Sequence, residues 1–412
     1  MGLGWWFFWL CMSRVANALI FSAYAGVMSL CAAAWHLSSA EAGAVQSAWH
    51  VGYLVSLVLV GILADRIGAK AIYLRTGVAA GLSAVAFAWF ANGFVSAVAL
   101  YGLAGLFAGG SYTPGLKVIF EQVPARQRGL AMGLFLGAAS IGYGLALLVG
   151  SALAPAGHWR AALEFSAVSA CVGALLGYVA LRKVPNVRHD SSAVASKAGG
   201  WSSLRGNKAA VACTLAYTCH CWELFGMWAW LPTFLSTADS PLHGSGIVAK
   251  GLVIAASAHL IASAGNVLGG GLSDRLGRAR VMMLMTCVSL TCSFTIGWLT
   301  AAPLWLVAAV AIAYNFFAIS DSSVYSIALA EVVAPAMIGT AYSLRSVLGF
   351  GVGAVSPWLF GAILDASRAG PLRDSAWILA WSSLGVGAVL GPFMVAWFAR
   401  EQRLASERLY PR

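Results

Sequence analysis

The sequence predicts an all-α integral membrane protein, with twelve transmembrane helices in two pseudo-symmetric six-helix bundles. Three observations carry this. Of 412 residues, 60% are hydrophobic and 9% charged, with a mean hydropathy of +0.81, whereas a soluble domain carries about 25% charged residues. Residues 76–116, 129–159 and 281–320 contain no Asp, Glu, Lys or Arg. A membrane helix needs about 20 apolar residues, so the longest runs each hold two spans. The runs are continuously apolar rather than alternating, which excludes a transmembrane barrel. Finally, a sequence motif recurs at an offset of 209 residues, dividing the chain into related halves.

Apolar segments in order place spans at 4–30, 43–64, 71–91, 94–118, 130–153, 161–181, 209–235, 247–270, 281–300, 303–326, 339–363 and 376–399. Ala91-Asn92-Gly93 and Thr300-Ala301-Ala302-Pro303 supply turns within the two longest runs. The polar stretch 182–208, rich in Ser, Gly and basic residues, is the linker. It separates an N-terminal bundle (1–181) from a C-terminal bundle (209–399), and 400–412 forms a short tail.

Orientation follows from Lys and Arg. With the N-terminus inside, 18 of the 25 basic residues fall in the inner loops, linker and tail. The outer loops hold only Arg160, Lys250, Arg368 and Arg373. Both termini are therefore expected in the cytoplasm, with the chain multi-pass in the inner (plasma) membrane. This distribution accounts for the net charge of +11 without a nucleic-acid partner. The eight Cys form no C-x-x-C pair, and no H-E-x-x-H or G-x-S-x-G motif occurs. Neither a metal, a cofactor nor an enzymatic activity is expected, and no removable signal peptide is read at the N-terminus.

The repeat is specific. Gly61-Ile62-Leu63-Ala64-Asp65-Arg66-Ile67-Gly68 follows span 2, and Gly270-Gly271-Leu272-Ser273-Asp274-Arg275-Leu276-Gly277 follows span 8. With Glu121…Pro124-Ala125-Arg126-Gln127-Arg128-Gly129, His158-Trp159-Arg160 and Trp230-Leu231-Pro232, the chain resembles the major facilitator superfamily over nearly its whole length. The resemblance implies a central cavity, alternating access by rocking of two bundles, and one chain sufficing as a functional monomer. It implies a gating role for Gly61, Asp65, Arg66, Gly68, Gly270, Asp274, Arg275 and Gly277. Glycines permit close helix approach, and the Asp carboxylates can accept from Arg or a helix N-terminus of the opposite bundle. One departure is Tyr101, which stands four residues before Gly105 where drug and proton antiporters of the superfamily often carry Arg.

Polar residues within spans are expensive and face a cavity or a partner. Arg14 lies near the middle of span 1, roughly 15 Å deep. Asn17, Phe21, Tyr24 and Met28 continue its face at helical steps, predicting a polar-aromatic stripe. Glu223 lies 209 residues beyond Arg14, on the pseudo-equivalent span 7, so the two are expected to pair across the cavity. His50 and His259 share the same offset. They stand on spans 2 and 8, where the superfamily's nitrate and nitrite transporters carry Arg. Arg345 lies in span 11, where its oxalate and monocarboxylate transporters hold a basic residue. Tyr53 and His220 complete the expected substrate-binding set of Arg14, Asn17, Tyr24, His50, Tyr53, His220, His259 and Arg345. Glu223, His50 and His259 are the expected proton-coupling groups. Asp321, Asn315 and Asn266 are secondary.

This inventory is basic. It predicts a secondary transporter of a small organic anion, a mono- or dicarboxylate, in symport with protons. Proton cotransport would cancel a monoanion's charge, avoiding about 2.3 kcal/mol per charge per 100 mV. The alternatives are efflux of amphipathic compounds or, from another class, a membrane sensor without transport.

Overall fold

The computed structural model describes residues 3–188, 204–236, 246–334 and 337–409. The first half contains α1 (Trp5–Trp35), α2 (Ser39–Ile67), α3 (Ala69–Phe90), α4 (Phe94–Ala108), α5 (Thr113–Gln122), α6 (Ala125–Leu153) and α7 (Trp159–Leu181). The second contains α8 (Lys208–Ser236), α9 (Ile247–Leu276), α10 (Arg278–Thr295), α11 (Leu304–Val332), α12 (Ile338–Gly353), α13 (Ser356–Arg368), α14 (Ala376–Ala388) and α15 (Gly391–Leu409). The pairs α4–α5, α12–α13 and α14–α15 are single interrupted spans, which gives the expected twelve. Eleven segments among the described residues are long and apolar enough to cross a membrane. The remaining span, α8, carries Tyr217, His220, Trp222 and Glu223 in its middle, which lowers its hydropathy.

The three interruptions correct the continuous spans read from the sequence. Each second helix opens on a proline: Pro114, Pro357 and Pro392. Proline lacks the N–H that would bond the preceding turn, and its ring clashes with the carbonyl four residues back, yet it fits a first helical turn. Span 4 is therefore bridged by a 3-10 turn at Gly109–Ser111, which turns Ser111 and Tyr112 toward α1.

The halves repeat in backbone detail. Gly68 has φ 94° and ψ 141°, and Gly277 has φ 91° and ψ 144°. Both occupy the left-handed φ range that favours glycine and turn α2 into α3 and α9 into α10. We call the end with these two turns the basic end. The linker begins there, and its residues 189–203 lie outside the described residues. Its first residues are tied down. Lys70 Nζ donates to the Val184 carbonyl at 2.7 Å, and Asn186 Nδ2 to that of Ile67 at 2.8 Å.

The bundles meet unevenly. At the end away from the basic turns, one apolar core passes through both bundles and includes Val27, Trp35, Leu147, Trp230, Leu252, Phe360 and Trp381. Toward the basic end the core divides. One part, with Leu10, Tyr73, Val118 and Phe135, belongs to the first bundle, and the other, with Met282, Tyr325, Leu329 and Phe398, to the second. The bundles are thus closed together at one end and separately packed at the other.

The motif positions differ from expectation in two respects. Asp274 does not reach the opposite bundle. It pairs with Arg278 one turn on, and Arg278 Nη2 also bonds Glu331 at 2.9 Å, all within one bundle. Four-residue spacing makes this pair the nearer partner. The close approach on α9 falls at Gly269, where a Cβ would overlap the Ser320 carbonyl, whereas Gly270 is open. Arg66 and Arg275 are exposed at the basic end, and the side chain of Asp65 lies outside the described residues.

Candidate functional site

Two buried guanidinium groups, one from each bundle, mark the candidate site. Arg14 on α1 donates from Nη1 to Ser111 Oγ at 2.6 Å, and its Cζ lies 5.6 Å from the Tyr112 ring and 5.5 Å from that of Phe135. Arg345 on α12 donates to Ser326 Oγ at 2.7 Å and lies 4.3 Å over Tyr217 and 5.0 Å from Tyr342. They are 6% and 7% exposed, and among the described residues neither has a carboxylate partner. Among the described residues the Nε of each is also without an acceptor. Aromatic faces and single hydroxyls offset only part of the cost of burying a cation.

Beyond the arginines, toward the closed end, an aromatic layer crosses the bundle interface. His50 stacks on Phe225 of α8 at 4.2 Å and 4°. Tyr53 stacks on Trp49 at 4.9 Å and on Phe350 of α12 at 5.7 Å. Phe21 meets Trp228 of α8 at 5.4 Å, and Tyr143 of α6 meets His259 of α9 at 5.8 Å. The two pseudo-equivalent histidines therefore each face the opposite bundle. Both His50 nitrogens, and Nδ1 of His259, are buried without a partner among the described residues.

The expected stripe on α1 is only half realised. Arg14 and Phe21 face the interface. Asn17 turns into its own bundle, donating to the Ser13 carbonyl at 2.8 Å and packing at Gly173. Tyr24 donates to the Ala42 carbonyl at 3.1 Å and packs on Phe87 and Tyr101. A 100° step per residue spreads positions 14, 17, 21 and 24 over an arc wider than the gap. Tyr101 itself donates to the Ile20 and Phe21 carbonyls at 3.1 and 2.8 Å, tying span 4 to span 1.

The expected Arg14–Glu223 pair is not formed. Glu223 accepts from Ser289 Oγ of α10 at 3.1 Å and neighbours Tyr314 of α11, inside the second bundle. His220 is likewise internal. Its Nδ1 lies 3.0 Å from Asp321, and its Nε2 lies 3.0 Å from Ser322 Oγ. The sequence reading missed Ser111, Tyr112 and Phe350. Pro114 was the available signal for the first two, and Phe350 had none.

The family comparison matches this geometry. The family model described as Major Facilitator Superfamily matches residues 10–357. Over 386 residues the chain is 26% identical to "Probable sulfoacetate transporter SauU" of Cupriavidus necator, covering 87% of this chain and 86% of that protein. It is 29% identical to the niacin transporter NiaP of Acinetobacter baylyi over 185 residues, covering 45% of this chain and 39% of that one. In fold it is similar to the crystal structure of a bacterial homolog of the human lysosomal transporter Spinster, with TM-score 0.74, 16% identity, and coverage of 97% and 96%. The duplicated glycine turns, the two six-helix halves and the family match over most of the chain lead to one conclusion: the protein belongs to the Major Facilitator Superfamily of multi-pass membrane transporters.

Proposed function

We propose that the protein moves a small organic anion, a mono- or dicarboxylate or a related acid, by alternating access, in symport with protons. The observation that carries this is the pair Arg14 and Arg345, two buried cations from opposite bundles with no carboxylate partner among the described residues. An anion bound between them would supply the missing charge, and Arg is suited to bidentate contact with a carboxylate. The two sequence relatives are a probable sulfoacetate transporter and a niacin transporter, and both compounds are acids, which supports the reading. The distribution of Lys and Arg supports a cytoplasmic basic end in the plasma membrane, so that the conformation described opens inward. In this reading the bundles 1–181 and 209–399 rock about the linker 182–208, and one chain forms the pathway.

For the substrate we assign Arg14, Arg345 and Tyr53, with His50 and His259 in the aromatic layer. For the proton we assign the internal network of the second bundle, Glu223, Asp321 and His220. Its location keeps a carried proton off the guanidinium groups, yet His220 packs on Tyr217, whose face Arg345 covers.

The test is uptake of labelled nicotinate, sulfoacetate and succinate into proteoliposomes, with and without an inward proton gradient. Gradient-stimulated accumulation that is lost in the Arg14→Ala, Arg345→Ala double variant is the expected result. Uptake of all three that survives the double substitution would remove the basis for an anion site. The aromatic layer favours one second reading, efflux of amphipathic compounds, which predicts drug resistance insensitive to both arginines.

A further inference from the structure

Asp365 breaks a local rule. It stands in the last turn of α13, where the helix dipole disfavours an acidic residue. Its explanation lies in the other bundle. Oδ1 accepts from the Ser39 backbone N–H at 2.9 Å, and Oδ2 from that of Ala40 at 2.7 Å. These are opening residues of α2. Glu41 N–H, the next donor, is taken by Ser38 Oγ at 3.2 Å. A helix start has orphan donors, and α2 divides its own between a local cap and a carboxylate of the opposite bundle.

The surrounding packing is close. A Cβ at Gly361 would overlap the Ser39 carbonyl, and one at Gly43 would overlap that of Pro357. Farther along, Tyr53 stacks on Phe350, and Gly351 approaches Leu54. Helix α2 therefore runs antiparallel to α12–α13 along the closed part of the interface.

We propose that Asp365 is a gating residue of the transport cycle. Its carboxylate latches the non-basic end shut on the start of α2, and the latch must open when the bundles rock the other way. This inference does not depend on which substrate is carried.

The experiment is hydrogen exchange of the full chain in lipid nanodiscs, without substrate, followed by mass spectrometry. Peptides spanning 38–47 and 356–364 report one end, and those spanning 60–67 and 338–345 the other. Asp365→Asn is expected to raise exchange at the first end about tenfold, the weight of one charged backbone hydrogen bond, and to lower it at the second. Ser39→Pro removes one donor without touching Asp365, at a position where proline suits the helix. It should act like Asp365→Asn but more weakly, and it carries the test if Asp365→Asn does not fold. Asp365→Glu should restore most of the protection. Unchanged exchange in Asp365→Asn and Ser39→Pro would overturn the proposal. So would a rise at both ends alike, which is the signature of a merely structural role.

Discussion

Nδ1 of His220 lies 3.0 Å from Oδ1 of Asp321, with both side chains buried, between α8 and α11 of the second bundle. No Lys or Arg joins the pair among the described residues. A carboxylate whose only charged partner is a titratable imidazole can exchange one proton without leaving an ion stranded. Asp321→Asn and His220→Gln are each expected to abolish gradient-driven accumulation while substrate exchange at equal pH continues. Full accumulation in both variants would remove the pair from the coupling mechanism and leave Glu223 to be tested by Glu223→Gln.

Arg14 and Arg345 should contribute separately to affinity, because each has its own hydroxyl and aromatic support. Losing one charge-assisted contact costs about 1.5–3 kcal/mol, so each Ala variant should weaken anion binding roughly 10- to 100-fold. Arg14→Lys keeps the charge but not the fork that reaches Ser111, and should recover only part of the loss. Anion-induced shifts in melting temperature measure this directly. Equal shifts in wild type and variants would exclude the arginines from the site.

His50 offers a test of function against stability. Both its nitrogens are buried and, among the described residues, unpartnered, while its ring stacks on Phe225. His50→Phe keeps the stack and removes two unsatisfied polar atoms, each worth about 1–3 kcal/mol. Its melting temperature should rise and its transport rate should fall. A variant that is more stable and fully active would make His50 a packing residue.

Two glycine substitutions should differ in kind. At Gly105 a Cβ would overlap the Trp49 carbonyl, within one bundle. Gly105→Ala should simply destabilise, by about 1–3 kcal/mol as overpacking does. At Gly43 the overlap is with Pro357, across the interface. Gly43→Ala can be relieved by parting the bundles, and should show faster hydrogen exchange at the non-basic end with a smaller loss of melting temperature. Identical behaviour of the two variants would mean that the bundles do not separate there.

Legibility followed physical range. The spans were readable because hydropathy accumulates along a helix at 1.5 Å per residue, and the turns at Gly68 and Gly277 because only glycine takes that backbone readily. The breaks before Pro114, Pro357 and Pro392 have a local cause in the sequence, because proline cannot bond the preceding turn. Facing was not readable. Leu82, Trp89 and Leu175 point outward while Leu10, Phe135 and Leu147 are buried, yet nothing in their chemistry separates them. A lipid-facing side chain and a packed one are equally apolar, so amphipathic periodicity fades.

The amino-acid sequence by itself determined a twelve-span chain in two related halves, a charge bias between its ends, and deep basic residues. These are sums over neighbours in the chain. Tertiary structure alone decided that Arg14 meets Ser111 rather than Glu223, that His220 meets Asp321, and that Asp365 reaches Ser39. Each of these depends on the rotation of one helix against another. That rotation is set by glycine contacts and buried hydrogen bonds between residues as many as 326 positions apart, which no local pattern encodes.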